Sequence, residues 1–114
     1  MEQCIFCKII AGQIPAKQVY SDDELLVIED LNPVAPLHLL LIPRKHLVNA
    51  LDLREDDDSL IGSVFRVAAR LAQERGVAAE GFRLVQNNNP AAGQSVFHIH
   101  FHLLAGRHMQ WPPG

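Results

Sequence analysis

The sequence predicts an α+β domain built on a mainly antiparallel meander sheet of about five strands, with a short N-terminal helix and one long helix. Three observations carry that reading. Short apolar segments bounded by turn residues lie on both sides of a single long stretch of helical periodicity, and the connections between neighbouring segments are short. The chain has 114 residues, 48% of them hydrophobic, enough to fill one compact domain over residues 1–114 but hardly two.

Residues 4–11 read as a short helix, because Ile5 and Ile9, with Phe6 and Ile10, are apolar at helical spacing and Gly12 stops it. Residues 18–20, 25–29 and 38–43 read as strands. Ser21-Asp22-Asp23 turns the first into the second, and Asn32-Pro33 with Pro36 interrupts the chain before the third. Residues 59–75 form the clearest helix. Leu60, Ile61, Val64, Phe65, Ala68, Leu71 and Ala72 make a stripe at the helical period, Asp56, Asp57 and Asp58 sit at the positive end of its dipole, and Gly76 is a C-terminal stop. Residues 82–86 and 96–104 are the last two strands, joined by the polar loop 87–95.

Ten Lys and Arg against 13 Asp and Glu give a net charge of −3, and the basic residues do not cluster beyond Arg44-Lys45, so no nucleic-acid partner is expected. A small anion held by backbone dipoles is compatible with that charge. The longest apolar run, Leu39-Leu40-Leu41-Ile42, is too short to span a bilayer. Met1-Glu2-Gln3-Cys4 lacks the basic and apolar segments of a secretory signal, so a cytoplasmic protein with no membrane partner is expected. Two cysteines, Cys4 and Cys7, cannot staple a domain and fit a reducing compartment.

The stretch Val96-Phe97-His98-Ile99-His100-Phe101-His102-Leu103-Leu104 holds three of the six histidines. Strand alternation puts Phe97, Ile99, Phe101 and Leu103 on one side and His98, His100 and His102 on the other. Three readings arise: a solvent face that happens to use histidine, a metal site, or a nucleophile with neighbours that control protons. Three imidazoles in register weigh against the first, because imidazole titrates near neutral pH. Against the second, residues two apart on a strand stand about 6.7 Å apart and the outer pair about 13 Å apart, so all three cannot hold one ion without a bend. Two of them completed by another strand could. The third reading gains from the loop Asn87-Asn88-Asn89-Pro90-Ala91-Ala92-Gly93-Gln94-Ser95, whose amides, hydroxyl and glycine suit the close approach of a phosphate.

The histidine strand resembles the motif of the histidine-triad (HIT) family, His-x-His-x-His followed by apolar residues. Cys4-Ile5-Phe6-Cys7-Lys8-Ile9-Ile10, Ile14-Pro15-Ala16, Ala35-Pro36, Leu41-Ile42-Pro43-Arg44-Lys45-His46, Gly93-Gln94-Ser95 and Trp111-Pro112-Pro113-Gly114 resemble its Hint branch, so the likeness spans nearly the whole chain. The uridylyltransferase branch has glutamine at the position of His102, and the Trp-Pro-Pro-Gly end argues against the Fhit-type dinucleoside polyphosphate hydrolases.

The resemblance implies the HIT fold and a nucleoside phosphoramidase. Such an enzyme hydrolyses the P–N bond of purine nucleoside 5′-phosphoramidates, and related aminoacyl adenylates, through a nucleotidyl-histidine intermediate that releases the nucleoside monophosphate. It implies His100 as the nucleophile, supported by His46, His98 and His102. Asn87, Gly93 and Ser95 would meet the phosphate and leaving group, and Ile5, Phe6, Ile28, Asp30 and Leu31 the nucleoside. A carboxylate at Asp30 can accept both hydrogen bonds of a ribose diol, and it can equally start the turn at Asn32-Pro33.

That chemistry requires no catalytic cofactor. Cys4 and Cys7, at i and i+3, suit a structural zinc completed by His46 and His98, as in some relatives with this cysteine pair; a redox pair and two buried thiols are the alternatives. A homodimer is expected, with the sheet continued between subunits and the tail, residues 105–114, bringing Trp111 to the partner's leaving-group pocket. A purine nucleotide-binding scaffold with little turnover, a dinucleoside polyphosphate hydrolase and a metal-dependent hydrolase are the competing functions.

Overall fold

In the computed structural model, which describes residues 3–114, the chain runs α1 (Ile5–Ile10), β1 (Gln18–Ser21), β2 (Leu25–Glu29), β3 (Leu37–Pro43), α2 (Asp58–Glu74), β4 (Phe82–Val85) and β5 (Phe101–Ala105). Single 3₁₀ turns occur at Ala50–Asp52, Glu55–Asp57 and Pro90–Ala92. The strands form one five-stranded sheet in the order β1-β2-β3-β5-β4, with every neighbouring pair antiparallel. The N-terminal stretch read for a secretory signal includes Met1 and Glu2, which lie outside the described residues.

β2 and β3 are apolar at consecutive positions because both of their faces are covered. Leu25, Val27, Leu39, Leu41, Phe101 and Leu103 pack under α2, against Leu60, Val64, Val67, Ala68 and Leu71. Leu26, Ile28, Leu40 and Ile42 point the other way and pack against Phe6 and Ile9 of α1. Because α1 is only six residues long and lies over β2 and β3, the same face of β5 and β4 stays open. The functional side chains lie on that open half.

The ends of the helices follow local chemistry. Cys4 caps α1, its Sγ accepting from the Cys7 N–H at 3.3 Å. α2 closes in a Schellman arrangement, with Gly76 N–H donating to the Gln73 carbonyl and Val77 N–H to the Ala72 carbonyl; Gly76 has φ +73, the left-handed conformation this stop requires. At its other end Asp57 is buried and pairs with Lys45 Nζ at 2.6 Å. Phe65, on the edge of the apolar stripe, is 55% exposed and meets Phe101 edge-on.

One strand is shorter than the periodicity predicts. β5 begins at Phe101 rather than at residue 96. Continued register would set Ile99 opposite Pro43, which has no N–H to give the ladder. Ile99 N–H instead donates to the Leu47 carbonyl at 2.7 Å, and the chain carrying His98 and His100 leaves the sheet there. Ile99, Phe101 and Leu103 are buried as alternation requires, whereas Phe97 is 45% exposed.

Candidate active site

The departure of residues 96–100 from the ladder separates the three histidines into distinct surroundings. His98 is fully buried. Its Nε2–H donates to the Pro43 carbonyl at 2.7 Å, which turns Nδ1 toward Cys4 Sγ at 3.3 Å, Cys7 Sγ at 3.6 Å and His46 Nδ1 at 3.0 Å. His46 Nδ1 is also 3.3 Å from Cys7 Sγ. All four ligand atoms lie within 4.8 Å of one another, and neither cysteine is in a disulfide.

His100 has its ring held by the main chain through one nitrogen. Its Nδ1–H donates to the His98 carbonyl at 2.8 Å, so in the neutral ring the lone pair is on Nε2. Phe6 stands edge-on to it, with ring centroids 5.0 Å apart and planes at 79°. Burial pushes the His100 pKa below the ordinary histidine value, and the hydrogen bond to the His98 carbonyl and the Asp30 carboxylate counteract this only in part.

His102 faces His38, a residue that sequence reasoning placed only at the head of a strand. His38 is buried. Its Nδ1 accepts the Val34 N–H at 3.1 Å, and its Nε2 lies 2.9 Å from His102 Nδ1 and 3.4 Å from Asp30 Oδ2. Asp30 in turn accepts the Asn32 N–H at 2.7 Å, so it does open the turn before β3 and reaches the histidines as well. Burial lowers the His38 pKa. His102 is pushed down to about 4 by burial and by the neighbouring His100 and His38 rings.

The polar loop is anchored by one buried amide. Gln94 Oε1 accepts from Asn49 Nδ2 at 3.0 Å and from the Asn89 N–H at 2.7 Å, while Nε2 donates to the Val48 and Val96 carbonyls at 2.7 and 3.1 Å. Gly93 has φ +100, and a Cβ there would stand 3.6 Å from Asn87 Nδ2. Asn87 lines a cavity with His38 and His102. Ser95 instead lines a second cavity, with Cys4, Ile5 and His46.

The residues singled out from the sequence are therefore brought together in part. Phe6 and Ile28 pack in one cluster beneath His100, Asp30 joins His38 and His102, and Asn87 lies beside them. His46 stands with the cysteines. Leu31 and Trp111 are 94% and 83% exposed. His38 had a detectable signal: it shares a face with Leu40 and Ile42 in a strand whose other side chains are apolar. A polar ring on a doubly covered strand calls for a partner.

A comparison with known families matches residues 11–109 to the HIT domain. The purine nucleoside phosphoramidase of Escherichia coli K12 is 42% identical over 93% of this chain and 89% of its own. Among solved structures, a HIT family hydrolase from Legionella pneumophila superposes with a TM-score of 0.96 at 48% identity, covering 98% of this chain and 100% of the other. A zinc-bound histidine triad family protein from Mycobacterium smegmatis superposes with a TM-score of 0.79 at 34% identity, over 93% of this chain and 76% of its own.

Proposed function

The chain belongs to the histidine-triad family, and from that premise we propose that it hydrolyses purine nucleoside 5′-phosphoramidates, and related aminoacyl adenylates, through a covalent nucleotide on His100. The observation that carries this reading is the His100 Nδ1–H held by the His98 carbonyl at 2.8 Å. It presets the tautomer, while burial keeps the ring neutral. A neutral imidazole with a fixed, unshared Nε2 is a nucleophile at ordinary pH.

In the first step Nε2 of His100 bonds to phosphorus and the P–N bond breaks. The departing amine accepts a hydrogen bond from the Nε2–H of His102 and takes its proton from a bound water, whose hydroxide is neutralised by solvent. In the second step water attacks phosphorus and gives up its proton to solvent. His100 leaves as a neutral ring, and the nucleoside monophosphate departs. Backbone N–H groups and Asn87 of the loop hold the phosphoryl oxygens, Phe6 and Ile28 wall the nucleoside, and Asp30 takes the ribose hydroxyls. The names of the phosphoramidase and hydrolase relatives support the same reaction class.

Cys4, Cys7, His46 and His98 suit a zinc ion. With His98 Nε2–H committed to Pro43, two thiols and two imidazole nitrogens face one centre, the donor set of a closed tetrahedral site. The metal would supply a structural tie between α1 and the loop carrying His98. The zinc-bound relative supports this assignment.

The same reading includes a homodimer in a reducing, cytoplasmic setting. β4 is a sheet edge, Phe65 and Phe82 are exposed, and no described helix is long and apolar enough to cross a membrane. The deciding experiment is rapid quenching during turnover of adenosine phosphoramidate. Adenylate linked to His100, together with loss of turnover by about 10³-fold or more in His100→Asn, supports the mechanism. No turnover by the wild type, or normal kcat in the variant, overturns it.

A further inference from the structure

The sheet face that carries His102 continues beyond it. Val85 stands opposite His102 and Arg83 opposite Leu104, while His38 meets Leu104 from the other side. His38, Leu104 and Arg83 thus form one row across three strands. Leu84 packs against the core under α2, so alternation puts Arg83 and Val85 on the histidine side. Arg83 is the diagonal neighbour of His102, about 7–8 Å away between backbones. A cavity of about 460 Å³ lies here, and its lining joins His38, His102 and Asn87 to Arg83, Arg107 and Gln110.

Both guanidinium groups are held by the main chain. Arg83 Nη2 donates to the Gln110 carbonyl at 3.2 Å. Arg107 donates through Nε to the Val34 carbonyl at 3.0 Å and through Nη1 to the His108 carbonyl at 3.1 Å. Neither pairs with a carboxylate among the described residues. Glu80 lines a neighbouring cavity that both arginines also border, and forms no ion pair with them. A guanidinium has five N–H donors, so each arginine retains donors and an unneutralised charge beside the catalytic histidines.

We propose that this cavity is a leaving-group subsite for an anion, and that Arg83 and Arg107 select phosphoramidates whose amine carries a free carboxylate. The proposal rests on the phosphoramidase reading, in which the amine departs beside His102. A carboxylate two or three bonds beyond that nitrogen comes within reach of the planar, bidentate forks. The main-chain contacts of both side chains fix the forks before the substrate arrives, which reduces the ordering cost of binding.

The test compares kcat/KM for the adenosine phosphoramidates of β-alanine and of β-alanine methyl ester, which differ at the charged end. The wild type is expected to favour the acid about tenfold. In Arg83→Gln and Arg107→Gln the acid-to-ester ratio falls toward one, and in Arg83→Lys, which keeps the charge, it stays between the two. Because the ratio is taken within each variant, a smaller folded fraction lowers both rates and leaves it unchanged. A wild-type ratio of one or less, or an undiminished ratio in both glutamine variants, overturns the subsite. Hydrolysis of neither compound by the wild type overturns the phosphoramidase reading itself.

Discussion

His38 Nε2 lies 2.9 Å from His102 Nδ1, and the Val34 N–H already occupies the other nitrogen of His38. With Nδ1 an acceptor, neutral His38 carries its proton on Nε2, donates it to His102, and leaves the only ring proton of neutral His102 on Nε2. Asp30 Oδ2, 3.4 Å away, supports the same orientation. One backbone amide thus sets the tautomers of two rings.

Removing the ring should therefore cost rate rather than affinity. His38→Phe is expected to lower kcat by about 10²-fold with KM little changed, and His38→Gln, whose side-chain amide can still donate to His102, to recover part of the loss. Steady-state kinetics on both variants check this. Equal losses in the two would show that the hydrogen bond is immaterial.

The depressed titration of His102 ties stability to pH. A histidine near 6.5 when unfolded and about 4 when folded binds more protons in the unfolded chain between those values. The contribution is complete above about 6.5 and is lost as pH falls toward 4. Urea unfolding midpoints should drop across that window, and His102→Gln should flatten the drop. An identical pH dependence in the variant would remove His102 as its source.

Gln94 is the structural keystone of the polar loop. Gln94→Ala leaves the Val48 and Val96 carbonyls and the Asn89 N–H without their partner, at a cost of about 2–4 kcal/mol. Chemical denaturation measures it directly. A loss below about 0.5 kcal/mol would mean that water replaces the amide.

Protein purified without chelator is expected to contain about one zinc per chain, and Cys4→Ser with Cys7→Ser to contain far less. Chelation should lower the Tm of the wild type and leave that of the double variant unmoved. Elemental analysis showing only a trace of metal in the wild type would sink the assignment.

Sedimentation at micromolar concentration should give about twice the chain mass of 12.7 kDa. Deleting residues 110–114 should alter selectivity among amines more than adenosine recognition, since Gln110 and Pro113 line the cavity beside His102. A monomer with unaltered selectivity after truncation would contradict both expectations.

Periodicity was sufficient for the sheet and the helices. Apart from β5, each predicted element has its counterpart within about two residues, because each has a local signal: the apolar stripe of α2, Gly76 at its end, the turn at Asp22. Residues 96–100 depart from the predicted strand because alternation alone carries no information about the opposing strand, where Pro43 ends the ladder. Distant pairings were hidden in the same way. His38 and His102 are 64 residues apart, and nothing local says that they touch. His46 carried two expectations, a support of His100 and a metal ligand with Cys4, Cys7 and His98, and the fold places it beside Cys7 and His98. Arg83 escaped notice because a lone arginine on a strand ordinarily reads as a solvated side chain.

The uneven covering of the sheet gives β5 two kinds of position, interleaved one by one. Phe101, Leu103 and Ala105 face the layer under α2, while His102 and Leu104 face the open half. Saturation mutagenesis along the strand should give a two-residue oscillation, in which odd positions tolerate other apolar residues of similar volume and position 102 tolerates almost nothing for activity yet much for folding. A single-codon deletion at Ile99 would be worse than any substitution. Shifting the register by one would carry an imidazole into the apolar layer and a phenylalanine onto the reactive face, so this stretch can evolve by exchange of side chains but scarcely by change of length.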